Sequence, residues 1–102
     1  MSDECIIEAS GPDYFVLRGE LSFTTVMALS RRSAALLSQS GELTLDLAGV
    51  TRTDSAGLAL LVQWIRDARR RDQSIRFCNI PEQMMAIAQV VGLDKLLPVA
   101  PQ

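Results

Sequence analysis

The chain contains no histidine. That one absence weighs against two kinds of chemistry, because histidine is the commonest general base near neutral pH and the commonest transition-metal ligand. Cysteine is nearly as scarce. Cys5 and Cys78 are the only two, far apart and in no C-x-x-C arrangement, so neither a thiolate metal cluster nor a redox pair is encoded. Each falls in a segment that reads as a strand, where an unpaired thiol is expected to be buried and inert; a bridge between them would require an oxidising compartment. No unbroken apolar run is longer than that of Leu58 to Val62, and a bilayer-spanning helix needs about 20 such residues. The first residues, "MSDECIIEAS", are acidic and lack the apolar core of a secretory signal. Neither sign of charge dominates: Lys+Arg 10 against Asp+Glu 12 leaves a formal charge of −2. A dedicated nucleic-acid binder shows a basic excess. These absences together predict a cytoplasmic protein with no nucleic-acid partner, no direct membrane insertion, no metal and no cofactor.

What is present suits one small folded unit. The 102 residues are enough for a single core, and residues 1–102 read as one domain. Apolar side chains make up 48% of the chain, too many for a disordered segment. "ECIIEAS" and "YFVLRGEL" flank the turn Gly11-Pro12-Asp13 and predict a hairpin. Ser22 or Thr24 is placed to cap a helix reaching about Ser40, with Gly41 as its stop and Val26, Leu29, Ser33, Leu36 and Leu37 at helical spacing. "ELTLDL" alternates at period two, which sets Leu43, Leu45 and Leu47 on one side and Asp46 on the other. Ser55 to Arg71 carries the clearest helical stripe: Leu58, Leu61, Val62, Ile65 and Ala68, flanked by Leu60 and Trp64. "SIRFCNI" predicts a fourth strand. Pro81 suits a first helical turn, "EQMMAIAQVVG" follows as a helix ending at Gly92, and a short last helix spans Leu93 to Leu97. The Met84-Met85 pair reads as core filler. The order β-β-α-β-α-β-α-α implies right-handed β-α-β crossovers beside an antiparallel hairpin. The predicted fold is therefore α/β, a four-stranded mixed sheet with helices mainly on one face.

One junction gathers polar groups. Between "LDL" and the helix at Ser55 lie Thr51, Arg52, Thr53 and Asp54, read as a polar turn. Asp54 suits an N-cap, a role that contributes on the order of 1 kcal/mol. The same place, beyond a strand's carboxyl end and at a helix N-terminus, also suits an anion, a phosphoryl group or a partner's polar contact. Neither G-x-x-x-x-G-K-[ST] nor G-x-G-x-x-G is present, so nucleotide binding has little support. Opposite the leucine stripe lie Ser55, Ala59, Gln63, Arg66 and Arg70, with Ala56 alongside. Small side chains there permit close approach by another macromolecule, and an arginine at the rim can pair with an acid; an ordinary solvated face has the same composition. "RDARRRDQ" is interrupted by Asp67 and Asp72 and reads as a solvated helix end. No histidine, metal cluster or nucleophile–base pair marks an enzyme.

The block "LTLDLAGVTRTDSAGLALLVQWIRDARRR" resembles the centre of a STAS domain. Its marks are an apolar strand ending in Asp46-Leu47 and then Asp54-Ser55-Ala56-Gly57-Leu58 opening a helix. "IRFCNIPEQMMAIAQVVGLDKLL" is similar to the family's later strand, helix and G-L-x-x-x-L ending, so the likeness covers nearly the whole chain. It implies the STAS fold and a non-enzymatic, partner-binding role. In the family's anti-sigma factor antagonists a kinase phosphorylates the hydroxyl residue just before the glycine. That position is Ala56 here, which has no oxygen, and Ser55 is the neighbouring hydroxyl. In the small cytoplasmic STAS subunits of Mla-type phospholipid-transport ABC complexes the corresponding run is Asp-Thr-Gly-Gly-Leu-Ala-Leu-Leu, similar to Asp54–Leu61. There the residue matching Ser55 helps bind the ATPase subunit. The resemblance thus implies binding to an ABC transporter ATPase subunit through Thr53, Asp54, Ser55, Ala56, Ala59, Gln63 and Arg66, and a location peripheral to the inner membrane through that complex. The alternative is an antagonist that binds an anti-sigma factor kinase, with Ser55 as the phosphorylation site.

Overall fold

The computed structural model describes residues 4–100. Three helices and a four-stranded sheet follow in the order β1 (Cys5–Ala9), β2 (Tyr14–Leu21), α1 (Val26–Leu37), β3 (Glu42–Thr53), α2 (Ser55–Arg70), β4 (Ser74–Cys78), α3 (Glu82–Val90) and a 3₁₀ turn, Asp94–Leu96. The spatial order is β1-β2-β3-β4. The β1–β2 pair is antiparallel and the other two pairs are parallel, as the hairpin and crossovers require. Leu43, Leu45 and Leu47 are buried with Phe15, Leu17 and Phe77 against the helices. Asp46 stands on the opposite face, where it accepts from the Tyr14 hydroxyl at 2.8 Å and the Asn79 amide at 2.9 Å. Burial works to raise the Asp46 pKa, but these donors and the Ala48 N–H outweigh it and hold the carboxyl below its ordinary range.

Two predicted boundaries moved, each for a visible reason. β3 does not stop at Leu47; it runs to Thr53, so Thr51 to Thr53 belong to a strand and not to a polar turn. The alternation that identified it breaks because β3 carries extra residues against β2, with register shifts between Val16 and Arg18 and between Gly19 and Glu20. At the first bulge the Ala48 N–H turns aside to Asp46 Oδ1 at 2.9 Å. A side chain at Gly49 would lie 2.6 Å from the Leu17 carbonyl oxygen, so the strands approach there only through glycine. Asp46 therefore lies within the strand and shares no loop with Asp54.

Helix α1 is shorter than its spacing predicts at both ends. Ser22 to Thr25 form a turn: Thr25 Oγ1 accepts the Ser22 N–H at 3.0 Å and donates to the Glu20 carbonyl at 2.7 Å. The N-cap is Thr25, and neither Ser22 nor Thr24. At the other end, the Gln73 amide donates to the Leu37 carbonyl, a helix-end acceptor, and to the Ser40 carbonyl in the loop that follows, before Gly41 is reached. Helix α3 ends at Val90, ahead of Gly92, and the last predicted helix is the single 3₁₀ turn. β4 ends at Cys78, and Phe77 forms a parallel bridge with Val99 beyond it. Both cysteines are free: Cys5 is buried and Cys78 half-buried, on strands at opposite edges of the sheet.

Candidate partner-binding knuckle

The site begins where β3 hands over to α2. Asp54 sits in extended backbone (φ −144°, ψ −168°), and its side chain turns back over the first helical turn. Oδ1 accepts the N–H groups of Ala56 at 2.9 Å and Gly57 at 3.2 Å, satisfying two donors that every helix start leaves open. Oδ2 accepts the Phe23 N–H at 3.1 Å, from the turn between β2 and α1. One carboxylate thus caps α2 and pins a second loop beside it. Burial pushes the Asp54 pKa upward, but the N–H donors of Phe23, Gly57 and Ala56 prevail and hold it below the usual value. The cap role was legible from the residues; the Phe23 tether was not, because its donor is a backbone group from a distant turn.

Around this cap the predicted residues separate. Ser55 and Ala59 are exposed and Ala56 is half-buried, together forming a low ridge on α2. Thr53 corrects the expectation: it is 3% exposed, its hydroxyl donates to the Asp54 carbonyl at 3.4 Å, and it supports the turn from beneath. Strand alternation causes this, since Arg52 and Thr53 point to opposite sides and Arg52 takes the outward one. Gln63 is exposed, with its amide donating to Asp67 Oδ1 on its own helix at 2.9 Å. Arg66 is exposed but faces a different groove, lined with Leu93 and Leu96.

Two large apolar residues join the ridge that sequence reasoning missed. Phe23 is 78% exposed and Met27 69% exposed. Met27, Ser30 and Arg31 form one wall, and Ala56, Ala59 and Leu60 the other, of an open groove of about 350 Å³ between α1 and α2. The available signal was that Phe23 and Met27 fall outside the stripe of Leu29, Ser33 and Leu37 that α1 buries. Next to the groove, a polar cleft of about 450 Å³ opens between Glu20, Thr24, Arg52, Asp54 and Gln83. Glu20 accepts from the Ser22 hydroxyl at 2.7 Å and the Thr24 hydroxyl at 3.1 Å, and these bonds hold its pKa below the ordinary value. Arg52 approaches it at 4.0 Å, a solvated pair of little energetic weight. Among the described residues no group of three or more His, Cys, Asp or Glu side chains is placed to hold a metal ion. Nor is any helix long and apolar enough to cross a membrane.

Comparison with known proteins finds relatives in both sequence and fold. Residues 9–98 match the family model described as "Mlab, STAS domain". The chain is 31% identical over 85 residues to the intermembrane phospholipid transport system binding protein MlaB of Haemophilus influenzae, covering 76% of this chain and 78% of that protein. In fold it resembles the anti-sigma factor antagonist SpoIIAA in its unphosphorylated form, with a TM-score of 0.72 at 18% identity over 96% of this chain and 89% of the other. An anti-sigma factor antagonist from Mycobacterium paratuberculosis is similar, with a TM-score of 0.70 at 20% identity over 96% and 85%. At those identities the structural likeness speaks to the fold.

Proposed function

The chain belongs to the STAS-domain family, and from that premise we propose that it is a non-enzymatic subunit that docks on the ATPase of a phospholipid-transport ABC complex. The observation that carries this reading is the exposed Ser55 at the start of α2, set on a ridge of Ala56 and Ala59, with Phe23 and Met27 uncovered beside it. Small residues admit a close-packed partner, and large exposed apolar side chains at the edge of such a ridge are typical anchors of an interface. The 31% identity to MlaB, named as a binding protein of a phospholipid transport system, supports the choice of partner. In this reading Ser55 supplies a polar contact at the centre of the interface, and Asp54 holds the turn in shape. Ala56 and Ala59 permit approach, and Gln63 lies at the margin, while Arg66 faces the groove lined with Leu93 and Leu96 and stands outside this interface. The protein then works on the cytoplasmic face of the inner membrane, peripheral to it through the complex.

The test is Ser55→Arg. The side chain is exposed, so the fold tolerates the change; the interface would meet bulk and an unpaired charge. Loss of ATPase capture with an unchanged thermal midpoint is expected, whereas undiminished capture sinks the reading.

One feature favours a second reading, a phosphorylation-controlled switch of the anti-sigma antagonist kind. The Ser55 hydroxyl is exposed at a helix N-terminus, where added negative charge is tolerated. Intact mass after incubation with ATP and the cognate kinase decides it: a single added phosphate on wild type, absent from Ser55→Ala, favours the switch.

A further inference from the structure

At the other end of α2 a second groove of about 250 Å³ runs between its later turns and the 3₁₀ turn. Val62, Ile65, Leu93 and Leu97 line it, Leu96 stands at its edge 63% exposed, and Arg66 and Arg69 border it one turn apart. We propose that this groove, apolar within and edged by two unpaired arginines, binds a segment of a partner protein that carries an apolar anchor beside carboxylates.

Three observations lead there. First, among the described residues neither Arg66 nor Arg69 forms an ion pair; Arg70, on the same helix, takes Asp67. A guanidinium presents a fork of donors that a carboxylate fills, so this edge is complementary to acidic groups. The helix dipole accounts for basic residues in the last turn, but Arg66 lies before that turn, and no dipole explains an uncovered Leu96. Second, the hollow is smaller than the about 300–1,000 Å³ typical of small-molecule pockets. Its size suits one or two inserted side chains, with specificity coming from the edge. Third, the chain's formal charge is −2, which disfavours spreading on an anionic lipid surface and leaves a local, pair-by-pair attraction as the better match. This surface is separate from the Ser55 ridge and does not depend on the identity of the partner docked there.

The experiment pans random short peptides displayed on phage against the full chain. Enriched sequences should place Leu, Ile or Phe next to Asp or Glu. On Arg66→Glu/Arg69→Glu the best peptide should lose about tenfold or more in affinity, an effect of at least about 1.4 kcal/mol. Leu96→Asp, an exposed position, should weaken it without disturbing the far-UV circular dichroism. In an NMR titration the peptide should shift amides of Ile65, Arg66, Arg69 and Leu96 and leave Ser55 unmoved, and Ser55→Arg should bind it normally. Failure to enrich any peptide overturns the proposal, as does enrichment without acidic residues, binding that survives the charge reversal, or shifts confined to the Ser55 end. So does arginine-dependent binding to phosphatidylglycerol vesicles in place of peptide, which would assign the groove to lipid.

Discussion

Trp64 and Ser33 meet inside the core, where the indole N–H of α2 donates to the Ser33 hydroxyl of α1 at 3.2 Å. Ser33 in turn donates to the Ser30 carbonyl at 3.1 Å, so both polar groups are satisfied at 5% and 0% exposure. The pair sets the spacing of the two helices whose outer edges form the groove beside Ser55. Ser33→Ala leaves a buried indole N–H without an acceptor and should cost about 1–2 kcal/mol. Urea unfolding followed by the fluorescence of the chain's only tryptophan measures this directly.

Asp54→Ala removes a helix cap and the Phe23 tether together. Stability should fall by about 2 kcal/mol, more than an isolated cap contributes. The pH dependence carries a sign. Asp54 has a folded pKa below its ordinary 3.8, so its contribution is present above that value and is lost as pH falls through the folded value. Urea midpoints measured from neutral pH down to about pH 3 should therefore decline more steeply for wild type than for Asp54→Asn.

Gly57 is held small by its neighbours. A Cβ there would lie 2.5 Å from both the Leu21 carbonyl oxygen and Thr53 Oγ1. One of those is backbone, so the strand itself would have to move. Gly57→Ala should cost about 1–3 kcal/mol despite its better helix propensity, as overpacking does. Thermal unfolding gives the sign; stabilisation would contradict the packing described.

The two thiols should separate by reactivity. Burial pushes the Cys5 pKa up to about 11, against the weaker opposing pull of Arg32. Cys78 is half-buried, 3.7 Å from the Tyr14 hydroxyl. A thiol reagent at mildly alkaline pH should label Cys78 in the native chain and leave Cys5 unlabelled until denaturant is added. Peptide mapping by mass spectrometry reads the order.

Much of this protein was decided locally and could be read without coordinates. Period-two leucines at 43, 45 and 47 and the helical stripe from Leu58 to Ala68 named the core faces, because burial of apolar side chains follows backbone periodicity. Asp54 followed by Ser55-Ala56-Gly57 announced a helix start, since the cap interacts with N–H groups only two and three residues ahead. Bonds between distant parts of the chain were decided by the tertiary structure alone. Bulges carry β3 past Leu47 to Thr53 because β2 is its neighbour. Gln73 ends α1 across a long stretch of chain, Asp54 reaches Phe23, and Thr53 turns inward under Gly57. Exposure belongs to the same class. Helical spacing sets Met27 off the stripe of Leu29, Ser33 and Leu37, but that no other element covers it or Phe23 is decided only by the packing of α1 against α2 and the sheet.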